Sequence, residues 1–148
     1  MLFKEAELTE DVLARLVALS GDWAQENSCH GYRQNAPATI MGNRVFLALE
    51  GDEVAGYLFG HQEVTKEATS IYPAGAKVFE VEELYVRPQL RNRGVGKALF
   101  QYAEKAVAAE HDMILLSTAT KNFRAILHFY IDELDMTFWS ARLFKKLK

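Results

Sequence analysis

A change of period in the middle of this chain limits its fold more than any other feature. Residues 78–86 (VFEVEELYV) read as a β-strand, and Arg87-Pro88 closes the run because proline cannot donate to a ladder. Beyond it, Val95, Leu99, Tyr102, Ala103 and Ala106 recur on one face of a helix over 94–109. Between strand and helix lies Arg91-Asn-Arg-Gly-Val-Gly-Lys97. Gly94 and Gly96 let the backbone turn tightly and let a ligand approach without a Cβ in the way. The start of the helix offers unpaired N–H groups and the positive end of its dipole. Arg91, Arg93 and Lys97 add cations, so the turn reads as an anion site for which a pyrophosphate is the natural guest.

Other phosphate loops fit less well. A Walker A loop requires G-x-x-x-x-G-K-[ST], whereas these glycines are two apart and Ala98 follows Lys97. A dinucleotide fingerprint requires a third small residue where this chain has Leu99, and it usually opens the first βα unit.

The remaining chain reads as elements around this unit. Thr9 caps a helix over 10–19, with Glu10 and Asp11 in its first turn and Val12, Leu13, Leu16 and Val17 at helical spacing. Residues 22–35 read as a second, less regular helix running into a loop. Residues 44–50 and 54–61 flank Gly51-Asp52-Glu53 as a hairpin, and 63–77 read as a loop. Residues 113–118 (MILLST) have the continuous apolar character of a buried strand. Asn122 stands at the start of a helix carrying Phe123, Ile126, Leu127, Tyr130, Ile131 and Leu134, and a last strand or strand pair is expected over 137–146. The result is an antiparallel half followed by a βαβ half, in one domain over 1–148.

Composition narrows the class. With 17 basic and 20 acidic residues the net charge is −3, which points to neither a nucleic-acid nor a membrane partner. The single cysteine, Cys29, excludes an internal disulfide and a cysteine-rich metal site. No apolar run approaches a bilayer span and the N-terminus lacks the regions of a signal peptide, so a cytoplasmic location is expected.

The R-x-x-G-x-G spacing after a strand ending in Leu84-Tyr85-Val86 resembles the acetyl-CoA pyrophosphate loop of the GNAT superfamily of N-acetyltransferases. The likeness runs through residues 81–100, and Asn122-Phe-Arg-Ala125 with Phe129-Tyr130 resembles that superfamily's N-x-x-A…F-Y helix. Tyr130 lies eight residues after Asn122, one more than the family's usual seven, so Phe129 and Tyr130 both stand as the aromatic that faces the ligand. The resemblance implies an α+β GNAT fold, a mixed central sheet with splayed parallel strands flanked by helices.

It further implies transfer of an acetyl group from acetyl-CoA, as cosubstrate and without a metal, to a primary amine of a small molecule or peptide. A non-catalytic CoA-binding or sensing domain is the alternative, and a homodimer is compatible with the family. The amides of Arg93, Gly94, Val95, Gly96 and Lys97 would hold the pyrophosphate, with Arg91 as the leading side-chain contact. Leu84, Tyr85 and Val86 would pair with the pantetheine arm and face the thioester carbonyl, where oxyanion charge develops. Asn122 would contact CoA or serve as a plain helix cap.

Amine attack needs a base, since an alkylammonium is a poor nucleophile at neutral pH. Glu80 and Glu82 are two apart on the long strand, hence on one face with Val78, Leu84 and Val86 and roughly 7 Å from each other. Partial desolvation there raises a carboxyl pKa toward useful values, and each position matches a glutamate that some family members use. Glu83 falls on the opposite face and outside the chemistry. Tyr130 matches the family tyrosine that protonates the departing thiolate, and it also fits the apolar stripe of its helix. Cys29-His30 has no third partner, and His61, His111 and His128 lack metal-ligand spacing. Trp23, Glu26, His30, Tyr32, Arg33 and the 63–77 loop are the expected region of acceptor recognition, by fold analogy.

Overall fold

Helix α1 spans Glu10–Glu26, and its start is the one the sequence announces: Thr9 Oγ1 accepts from Val12 N–H at 3.2 Å. The computed structural model describes residues 1–148. Helix α1 is a single helix that continues through Trp23, not two, and Asn27 ends it in the left-handed conformation. A strand not foreseen in the sequence, β1 (Leu2–Ala6), precedes it, and a short helix α2 (Pro37–Ile40) follows the loop after it.

The other elements are β2 (Arg44–Glu50), β3 (Glu53–Val64), β4 (Lys77–Val86), α3 (Val95–Val107), β5 (Met113–Leu116) and α4 (Phe123–Leu127). The sheet order is β1-β2-β3-β4-β5, antiparallel throughout except for the parallel β4–β5 pair. Strand β5 is an edge strand and only half-buried, not the buried strand its composition predicts.

Two apolar clusters sandwich the sheet. Phe46, Ala48, Ala55, Leu58, Phe79 and Val81 pack beneath α3, where Leu99, Phe100 and Ala103 supply the facing side chains. Val45, Leu47, Tyr57, Phe59 and Tyr85 pack on the other face against Leu16 and Leu19 of α1. Alternation along β2, and along β3 on either side of a β-bulge at Ala55, makes this possible, since both faces of the sheet are covered.

Strand β4 carries a second bulge. The pairing jumps from Phe59↔Glu83 to Gly60↔Val81, leaving Glu82 as the extra residue of a β-bulge. Phe79 and Val81 before the bulge, and Leu84 and Val86 after it, therefore all lie on the α3 face. The expected shared face of Glu80 with Leu84 and Val86 is thus corrected: Glu80 and Glu83 both lie on the α1 face. The inserted residue shifts parity by one, as a register slip does.

Two further expectations fail at the C-terminal end. Residues 128–133 form a π-helical turn after α4, closed by Leu134 N–H donating to Phe129 O at 3.1 Å. Residues 137–148 form no strand and make no backbone hydrogen bond, so β5 remains the edge of the sheet.

Candidate active site

Strands β4 and β5 pair only from Val78↔Met113 to Val81↔Leu116. Beyond that pair β4 continues to Val86 while β5 has ended, so the sheet forks. The backbone of Leu84, Tyr85 and Val86 on the β5 side of β4 has no strand partner there. The turn that follows delivers the chain to α3 through a 3-10 turn at Pro88–Leu90 and through left-handed Asn92 (φ 61°) and Gly94 (φ 80°). No side chain caps α3, so the N–H groups of its first turn are left without a partner. Gly96 sits in this turn against Val86 and the Phe129 ring, and a Cβ there would lie 3.5 Å from the ring.

Arg93 is exposed, and neither it nor Lys97 takes part in an ion pair or a side-chain hydrogen bond. Arg91 is engaged. Its two terminal nitrogens donate to Glu26 Oε1 at 2.7 Å and Oε2 at 3.0 Å, and its Nε donates to Val86 O at 2.8 Å. The guanidinium stands 5.3 Å from the centre of the Tyr85 ring, whose hydroxyl donates to Glu26 at 3.0 Å. Burial first, then the bond to Glu26, pushes the Tyr85 phenol up to about 12.

On the α1 face, Glu83 is the hub of a network, not a bystander. It accepts from the hydroxyls of Tyr32 and Tyr57, each at 2.8 Å, and from Asn35 Nδ2 at 3.0 and 2.9 Å. Burial raises its carboxyl pKa, and the three donors oppose that rise. The same burial, together with the adjacent carboxylate, raises both phenols. Trp23 stacks between Tyr32 and Tyr85, at 4.3 and 5.2 Å. The sequence placed Trp23, Tyr32 and Glu26 in one region. It missed Glu83 and Asn35 because only the bulge turns Glu83 toward them.

Glu80 and Glu82 are brought together, with His61 beside both. His61 is the pairing partner of Glu80, and its Nδ1 lies 3.5 Å from Glu82 Oε1. Burial raises the Glu80 carboxyl, the Glu82 carboxylate raises it further, and His61 acts in the opposite sense. Glu82 is exposed.

Tyr130 lies on the other side of the fork, half-buried against Phe100 and Phe129 at 6.1 and 5.0 Å. Burial, then the neighbouring Cys29 thiol, pushes its phenol up to about 12. The π-helical turn absorbs the extra residue between Asn122 and Tyr130, leaving Phe129 against Gly96 and Tyr130 near Cys29. Asn122 is exposed and its side chain does not cap α4, so the plain-cap reading is corrected. Its own N–H donates to Thr120 Oγ1 at 3.2 Å, drawn off by the turn before the helix. Cys29 bridges Thr120, joining the loop after α1 to the loop after β5.

Two open depressions of about 390 and 430 Å³ flank α1 and share Asp22 and Arg87. Neither is lined by the β4 glutamates or Tyr130. No cluster of His, Cys, Asp and Glu has the grouping of a metal site, and no helix is long and apolar enough to cross a membrane.

A forked sheet with an uncapped helix start at the mouth of the fork can bind a long, anion-tipped ligand by its backbone. The model of the acetyltransferase (GNAT) family matches residues 13–132. Among curated proteins none matches in sequence. The fold is similar to a mutant BH1408 protein from Bacillus halodurans, at 18% identity and TM-score 0.71 over 100% of both chains. It is also similar to an aminoglycoside acetyltransferase, HMB0005, from an uncultured soil metagenomic sample, at 18% identity and TM-score 0.69 over 100% of both chains. An acetyltransferase of Trypanosoma brucei aligns at 17% identity and TM-score 0.67, over 99% of this chain and 100% of that one. These identities establish the fold and leave the substrate to chemistry. With the family model spanning both the fork and the helices on either side of it, the chain belongs to the acetyltransferase (GNAT) family.

Proposed function

We propose that this protein transfers the acetyl group of acetyl-CoA to a primary amine by direct attack within the fork. The observation that carries the reading is the β4–β5 fork ending at the uncapped α3. Amides of Arg93, Gly94, Val95, Gly96 and Lys97 hold the pyrophosphate, with Arg93 and Lys97 adding unpaired positive charge. The free backbone edge of Leu84-Tyr85-Val86 takes the pantetheine arm as an added strand. Its N–H groups also stabilise charge on the thioester oxygen.

Glu80 or Glu82 accepts the amine proton. An alkylammonium has a pKa of about 10, so a carboxyl raised toward neutrality is the better base. The rise at Glu80 is in that direction. Tyr130 stays protonated at neutral pH and can donate to the departing thiolate. Glu80, Glu82 and Glu83 favour a cationic acceptor such as a polyamine, aminoglycoside, amino acid or peptide amine, and two structural neighbours are named aminoglycoside acetyltransferases. The test is release of free thiol, followed with DTNB, across a panel of such amines. Turnover on at least one supports the reading, whereas CoA binding with no turnover on any would make the protein a CoA-binding module instead.

A further inference from the structure

Arg91 opens the R-x-x-G-x-G loop, yet its head group does not stand with the loop's phosphate-facing atoms. It lies over Tyr85, a residue of the cluster packed beneath α1. The first turn of α3, marked by Gly96, abuts Val86 Cγ2 and the Phe129 ring, which belong to the cluster on the opposite face of the sheet. Three of the five guanidinium N–H groups are already committed, two to Glu26 and one to the Val86 carbonyl. A phosphate approaching the remaining two would come beside the Glu26 carboxylate, and two anions sharing one arginine repel each other. Arg93 and Lys97 carry no such partner.

The held groups have a common consequence. Glu26 is the last residue of α1, Tyr85 and Val86 end β4, and Arg91 ends the 3-10 turn. Four side-chain hydrogen bonds between 2.7 and 3.0 Å, counting Tyr85 to Glu26, tie these three points together across 65 residues of sequence. The end of β4 is held on one edge by β3, through Tyr57↔Tyr85 and Gly56↔Val86, and is open on the edge where β5 has ended, so this cross-link adds the constraint from the α1 side that the missing β5 does not supply.

We propose that Arg91 and Glu26 form a strut that orients the open edge at the end of β4 for the acyl-carrying arm of the donor, Glu26 acting as a positioning residue, while Arg93 and Lys97 serve the phosphates. The proposal rests on reading the fork as the acetyl-CoA site. It separates the two halves of the donor, and so does its test. Wild-type protein, R91A, E26Q, the R91A/E26Q double variant and R93A/K97A are compared by kcat/KM with S-acetylpantetheine, which lacks the pyrophosphate. Each is also compared by Ki for ADP, which lacks the arm, in competition with acetyl-CoA.

A strand end displaced by an ångström costs on the order of tenfold to a hundredfold in rate, so R91A and E26Q should lose that much with S-acetylpantetheine. Both should keep the wild-type Ki for ADP within about twofold, and the double variant should be no worse than R91A, because the two residues act as one unit. R93A/K97A should show the reverse pattern. The strut is overturned if R91A weakens ADP about tenfold while sparing S-acetylpantetheine, the signature of a phosphate ligand. A global packing defect is told apart by losses of equal size with both probes, which also overturns it. If wild-type protein binds neither acetyl-CoA nor ADP, the reading of the fork fails and the strut's role with it.

Discussion

Gly60→Ala is the sharpest test of how β4 presents its carboxylates. Gly60 faces the bulge, paired with Val81 just before the register shifts. A Cβ there would overlap the carbonyl oxygen of Glu80 and press on the Phe79 ring at 3.0 Å. Neither obstacle yields cheaply, since the first is backbone and Phe79 is 1% exposed in the core. The strands must part locally. Overpacking and about one weakened ladder bond together cost about 2–4 kcal/mol. The stiffer unfolded chain of the alanine variant returns about 0.4–1 kcal/mol, leaving a net loss of about 1–3.6 kcal/mol. For a domain of this size, at about 2–4 °C per kcal/mol, Tm should fall by roughly 2–14 °C. Thermal melts by circular dichroism read the loss, and kcat should drop with it because Glu80, Glu82 and Glu83 move with the bulge. A Tm within about 1 °C of wild type, with unchanged turnover, would refute the argument that strand contact at Gly60 holds the bulge.

Glu83→Ala should lower the urea midpoint, since it strands the Tyr57, Tyr32 and Asn35 donors at about 1–3 kcal/mol for each one left buried and unpaired; an unchanged midpoint would show that water replaces the carboxylate freely. The raised Glu83 carboxyl also carries a pH signature. Its folded pKa lies above the unfolded value of about 4.3, so the stability it contributes is complete below that value and is lost as pH rises through the folded pKa. Glu83→Gln should flatten that slope in denaturation curves taken across the acid range. Tyr130→Phe should cut kcat on the order of a hundredfold with KM for acetyl-CoA unchanged, if its phenol is the acid. Trypsin should cut first after Arg142, Lys145 and Lys146, where the chain is exposed and makes no backbone hydrogen bond, leaving a body with an unchanged circular dichroism spectrum; earlier cuts elsewhere would show the tail to be held.

What local sequence rules can express, this sequence expressed. Thr9 as a cap, the 44–50 and 54–61 hairpin, the 78–86 strand and the glycine turn into α3 all depend on neighbours a few residues away. Their periods and turn residues therefore carry the signal. The family likeness came from the same local stretch. Only the tertiary structure decided which carboxylates share a face, since the bulge depends on Gly60 of a neighbouring strand and one extra residue reverses every side chain beyond it. It also decided that Arg91 pairs with Glu26, 65 residues away. Glu83, dismissed by counting along the strand, became the anchor of Tyr32, Asn35 and Tyr57 for the same reason. The sequence alone determined a strand, a glycine-containing turn and a helix in order. The packing of distant segments determined which side chains meet there, because charge pairs and buried hydrogen bonds follow distance in space, on which sequence spacing is silent.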